Sequence, residues 1–162
     1  MRRRTGLAAL AAAALSACGF ALRQPPKLQM QRIALHGFEP RTPLIEELRR
    51  QIAAGGSRVV ESQAQADLVL EALSTKRDKV VAAQTAAGQV REFTLRQHLR
   101  FRARTPAGRV LIPETELMLS RDMSYNETDA LAKEQEEAML YRAMQVDIVD
   151  QLMRRLAALP SP

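Results

Sequence analysis

The 162-residue chain is 46% apolar and 26% charged, a balance that suits one globular domain and excludes a disordered or repeat-built protein. Aromatic residues make up only 4% and tryptophan is absent, so there is no aromatic platform for stacking bases or sugars, and the core must come from Leu, Ile, Val, Met and Ala. The net charge of +6 overstates the basic character: residues 1–17 hold three arginines and no acid, and the remainder carries 21 basic against 18 acidic residues.

At the N-terminus, Arg2, Arg3 and Arg4 precede the apolar run Leu7–Leu15 and a stretch of small residues, the layout of a signal peptide over residues 1–17. The run falls well short of the roughly 20 apolar residues that span a bilayer, so the mature chain needs another anchor. Leu15-Ser16-Ala17-Cys18 supplies one as a lipobox. The Cys18 thiol takes a diacylglycerol, and the amine freed by cleavage takes a further acyl chain. Several chains, each worth about 0.8 kcal/mol per buried methylene, hold where a single one does not. Gly19, where an aspartate would signal retention in the inner membrane, directs the lipoprotein to the outer membrane. Cys18 is the only cysteine, so acylation leaves no thiol for a disulfide, a metal site or a nucleophile. The covalent lipid is the one added group expected; no cofactor and no metal are. A periplasmic location argues against nucleic acid and leaves anionic head groups or phosphorylated glycolipid as partners for the mild basic excess.

Residues 18–27, with Pro25 and Pro26, read as a lipidated tether, and a single domain follows over 28–159. Leu28–Leu35 alternates apolar and polar positions with one change of phase, predicting a strand with a bulge. Thr42 and Pro43 form a helix N-cap and first position, and Leu44, Ile45, Leu48 and Ile52 recur at helical spacing until Gly55-Gly56. Val59–Val60 and Leu68–Leu73 are short strand candidates, and Lys79–Gln84 leads to a loop at Gly88. From Val90 to Arg104, Phe93, Leu95, Leu99, Phe101 and Ala103 point one way. Glu92, Thr94, Arg96, His98, Arg100 and Arg102 point the other.

Thr105–Gly108 turns the chain into Val110–Arg121, a strand interrupted by Pro113. With Pro113 in a bulge, Glu114 and Glu116 come opposite Arg100 and His98. The C-terminal region predicts a long helix capped by Asn126 or Thr128 and stopped by Pro160, with Tyr141, Met144, Ile148, Leu152, Leu156 and Leu159 on one side. Met139, Met144 and Met153 read as packing residues of that helix rather than metal ligands. The order β-α-β-β-β-β-α predicts an α+β fold: two helices packed on one face of a mostly antiparallel sheet of four strands or slightly more.

The basic stripe Arg96, Arg100 and Arg102 can meet phosphates of a glycolipid or acids of a partner wall. It can equally be a solvated sheet face paired across strands with Glu114 and Glu116. The strings Cys18-Gly19-Phe20-Ala21-Leu22-Arg23 and Ala130-Leu131-Ala132-Lys133-Glu134-Gln135-Glu136, running into Met139 and the helix with Leu152, Arg154, Arg155 and Leu156, make the chain resemble the LptE family of lipopolysaccharide-assembly lipoproteins. That resemblance implies a non-enzymatic protein that plugs the β-barrel LptD in the outer membrane and helps it insert lipopolysaccharide into the outer leaflet. It implies lipopolysaccharide binding through Lys133, which holds the place of the family's basic residue early in the last helix. A second basic position of the family falls on Ala86, and Arg91 lies nearby without matching it. The competing classes are another outer-membrane scaffold or pilot lipoprotein and, more remotely, a periplasmic hydrolase. His36 and His98, the only histidines, sit in no nucleophile or metal motif.

Overall fold

The computed structural model describes residues 26–160; the signal peptide and Cys18 lie outside them. The chain runs β1 (Arg32–His36), α1 (Pro43–Ala54), β2 (Arg58–Val60), β3 (Leu68–Gln84), β4 (Val90–Arg104), β5 (Val110–Ser124) and α2 (Ala130–Ala157). Two single 3-10 turns, Gln63–Gln65 and Glu127–Asp129, precede β3 and α2. This is an α+β fold on one five-stranded sheet in the order β2-β1-β3-β4-β5. The long β3–β4 and β4–β5 ladders are antiparallel, while β1 pairs in parallel with both β2 and β3. No helix among the described residues is long and apolar enough to cross a membrane.

Two expectations are adjusted. The first strand begins at Arg32 rather than Leu28, because the chain before it is drawn onto the end of α1, where the Leu28 N–H donates to Gly55 O at 3.1 Å. The segments 68–73 and 79–84 are parts of one 17-residue strand, β3. The polar stretch between them hid this, but its pairing with β4 continues through Thr75, Lys76, Arg77 and Asp78. The expected mostly antiparallel sheet of four strands or slightly more is met, with five strands and parallel pairing confined to β1.

Other features follow the local chemistry. Pro43 occupies the start of α1, where its missing N–H costs nothing, after an extended Thr42. Pro113 falls in a bulge: Ile112 pairs with Ala103 and Thr115 with Phe101, so Pro113 and Glu114 together face Arg102. β1 leaves the sheet at His36, opposite Glu71, and from Ala72 onward β3 is an edge. Gly37 turns the chain there with φ of +72°, and a Cβ at this position would lie 2.3 Å from the Ala72 carbonyl oxygen.

The largest core joins Leu44, Leu48 and Ile52 of α1, Ile148, Val149 and Leu152 of α2, and Leu68, Leu70, Leu99 and Phe101 of the sheet. A smaller cluster of Leu95, Met123, Tyr141 and Met144 lies further along the hairpin strands. Of the three helix methionines, Met144 and Met153 are buried and Met139 is 61% exposed. Between the two clusters sit Gln97 and Gln145, both buried and polar.

Candidate functional site

The strand alternation holds: Leu95, Leu99, Phe101 and Ala103 are buried while Arg96, Arg100 and Arg102 are exposed on the other side of the sheet. Those arginines stand among acids. Arg100 Nε lies 3.2 Å from Glu114 Oε1, and Arg102 and Arg104 both pair with Glu71. In register Arg100 faces Glu116, so its bond to Glu114 runs diagonally toward the bulge. Arg96 faces Asp78 and Ser120 across the ladders and makes no ion pair among the described residues. His98 lies between two carboxylates, with Nδ1 2.9 Å from Glu116 and Nε2 3.3 Å from Asp78. The face is therefore charged in both signs and largely paired.

Glu71 is 5% exposed. Burial, the largest influence, pushes its carboxyl up, but the bonds from Arg102 and Arg104 outweigh it and hold it below the usual range. Asp67 is also lowered, chiefly by its side-chain bond from Arg32. Tyr141 is raised by burial first and by Glu137 next, and its hydroxyl donates to the Asp78 carbonyl at 2.9 Å.

Lys133 lies in the first turns of α2, whose buried side meets the opposite face of the sheet. Its Nζ donates to Ser124 Oγ at 3.0 Å and to Glu136 Oε2 at 2.8 Å. Those two oxygens offset the mismatch of a cation with the positive end of the helix. The structure thus separates Lys133 from the strand arginines. What it brings to the Lys133 end is Arg91: the Tyr125 N–H, one residue beyond Ser124, donates to the Arg91 carbonyl at 2.8 Å. Ala86 sits nearby in the exposed turn that closes with Thr85 N–H to Gln89 O and with Gly88 at φ of +79°. Arg91 does not match the family position in the sequence, and only the pairing of β4 with β5 brings it beside the start of α2.

Sequence reasoning also passed over the buried polar layer. Gln97 interrupts the apolar phase of β4, the one signal that was available. Its Oε1 accepts from Arg77 Nε at 3.1 Å, and its Nε2 donates to the Lys76 carbonyl at 3.2 Å. The Arg77 guanidinium also lies over the Tyr141 ring, 5.1 Å from its centre.

The model of the family described as LptE, lipopolysaccharide-assembly, matches residues 30–156. The chain is 28% identical over 155 residues to the LPS-assembly lipoprotein LptE of Yersinia enterocolitica, covering 93% of this chain and 73% of that relative. The solution structure of an uncharacterized lipoprotein B from Nitrosomonas europaea superposes with a TM-score of 0.73 at 28% identity, over 86% of this chain and 91% of that one. At fold level alone, rare lipoprotein B of Shewanella oneidensis gives a TM-score of 0.69 at 18% identity, over 79% of this chain and 95% of the other. A minor lipoprotein of Acinetobacter baumannii gives 0.67 at 20% identity, over 85% and 98%.

Proposed function

Because the chain belongs to the LptE family of lipopolysaccharide-assembly proteins, we propose that it is an outer-membrane lipoprotein, acylated at Cys18, that occupies the LptD β-barrel as a plug and helps it insert lipopolysaccharide. The role is non-enzymatic: the domain offers surfaces. The observation that favours a plug is the open sheet face with its rows of paired charges, since the lumen of a membrane barrel is polar and a dry patch would be out of place there. Lys133 is proposed to meet phosphates of lipopolysaccharide, with Arg91 at the same end of the domain, because charge-assisted hydrogen bonds are roughly twice as strong as neutral ones. Arg96, Arg100 and Arg102 are proposed to act as a second basic set on the sheet face, with Arg96 the most available and the other two held by Glu114 and Glu71.

Pull-down of the full-length lipoprotein from detergent-solubilised outer membrane is expected to bring down a large β-barrel in defined proportion. Cells lacking the protein are expected to assemble less of that barrel. Recovery of a different outer-membrane complex would favour a scaffold or pilot role instead. Unchanged barrel assembly and surface lipopolysaccharide in its absence would overturn the plug reading.

A further inference from the structure

The outer side of α2 is patterned against the rule for a surface helix, which turns its charges to water. Leu131, Met139 and Val146 are the large apolar side chains that this helix leaves exposed. At about 100° of turn per residue they share an arc of about 100° with Gln135, Ala138 and Arg142, and all six are exposed. The charges that would solvate such a face are turned toward the sheet instead. Lys133 bonds Ser124 and Glu136, Glu137 takes Lys79 of β3, and Asp147 takes Arg121 of β5. Glu134 and Arg142, both exposed, are left over: among the described residues neither makes an ion pair or a hydrogen bond.

The stripe has the same order from either end. A large apolar residue (Leu131, Val146) comes first, a long polar one (Gln135, Arg142) next, and Ala138 beside Met139 forms the middle. A surface ordered in this way complements itself when turned end for end about a twofold axis between Ala138 and Met139. Leu131 then meets Val146 of the second copy, Gln135 meets Arg142, and the small Ala138 leaves room for Met139. Glu134 comes level with Arg142 of the second copy, and symmetry makes that pair twice. We propose that α2 packs antiparallel against α2 of a second copy of this chain along the stripe Leu131–Val146, held in register by the two Glu134–Arg142 pairs. A pool of acyl chains would cover the apolar ends but leave Gln135 and Arg142 buried without partners. A barrel lumen is polar and does not match the apolar ends. The pairing concerns the protein by itself and does not rest on the barrel reading, so either can fail while the other stands.

Sedimentation equilibrium of the full-length lipoprotein, in density-matched detergent with micelles in large excess, reads the association. An interface one helix wide falls at the small end of specific interfaces, so the dissociation constant is expected on the order of tens of micromolar. Glu134→Arg and Arg142→Glu each turn two attractions into two repulsions and should weaken association about tenfold, with circular dichroism unchanged because both side chains stand free of the fold. An equimolar mixture of these two variants should recover the parent's association, since every facing pair is again of opposite sign, and so should the double variant Glu134→Arg/Arg142→Glu. Met139→Asp should abolish association by placing two acids at the centre of the interface. A parent that stays monomeric, a mixture that associates no better than either variant alone, or association that survives Met139→Asp would each overturn the proposal. A monomeric parent whose bound detergent falls in Met139→Asp would overturn it in favour of a lipid-facing helix.

Discussion

Glu71 shows how much a single side chain can tie together, since one nearly buried carboxylate receives Arg102 and Arg104 from β4 and so clamps the two central strands. Its lowered folded-state pKa means that the folded protein holds the charged form more firmly than the unfolded chain does. The stability this contributes is complete above the ordinary carboxylate range and is lost as pH falls through the lowered value. Asp67, lowered by Arg32, adds to the same acid limb. Glu71→Gln is therefore expected to lower the melting temperature at neutral pH and to flatten its fall in acid, measured by thermal unfolding across pH 2–7; an acid limb as steep as the parent's would discount the clamp. At Lys133 the expected result concerns binding. Lys133→Asp places an acid where a helix start favours one, so circular dichroism should stay constant while affinity for purified lipopolysaccharide drops, and the drop should shrink as salt rises. Equal binding at low salt would remove Lys133 from the ligand surface. Some of this was readable in the sequence: placing Pro113 in a bulge brings Glu114 and Glu116 to Arg100 and His98, although the ladder sets Glu116 opposite Arg100 and Met118 opposite His98, so both contacts run diagonally rather than straight across. Glu71 was not, because only the β3–β4 register, with its own irregularity between Ala72 and Ser74, brings it beneath two arginines.

α2 is the element whose role was plainest in the sequence, since the residues at helical spacing from Tyr141 to Leu156 are those that end up buried. The burial divides the helix in two. Beyond Tyr141 the apolar side joins α1 and the sheet, whereas the first turns, with Leu131 71% exposed, pack little. Ile148→Ala should cost about 2–5 kcal/mol, as for other large-to-small changes in a filled core. Leu131→Ala should stay within about 0.5 kcal/mol. Urea denaturation compares the two directly, and similar losses would mean that the helix start is also held by packing. β3 was the least legible element. Its first half is apolar and its second half runs through Lys76, Arg77, Asp78 and Lys79, so no single periodicity covers it; what makes it one strand is the ladder to β4, a contact between distant parts of the chain. The parallel insertion of β1 between β2 and β3 was hidden for the same reason, because local pattern identifies a strand and says nothing of its neighbours.

At the scale of the molecule, the sheet is thick at one end and thin at the other. Where β1, β2 and both helices meet, Leu68, Leu70, Leu99 and Phe101 are fully buried. Toward the Thr85–Gln89 turn the hairpin keeps only the smaller cluster around Leu95, Met123, Tyr141 and Met144, and Val80 and Val81 are exposed. Amide exchange should follow this gradient, slowest at Val69 and Leu70 and fastest at Val81 to Val90; uniform protection along β3 would show that the hairpin end is as firmly held as the base. The same gradient sets a distance. The described chain enters the domain at the foot of the sheet, with Leu28 tied to Gly55, and β3 climbs from there through 17 residues, about 53 Å at strand rise. Arg91, Lys133 and the turn holding Ala86 stand at the top of that climb. The domain is thus a ruler as well as a surface: whatever grips its N-terminal end is kept one strand-length from whatever meets its tip. Each pair of residues removed from both β3 and β4 would shorten that separation by about 7 Å.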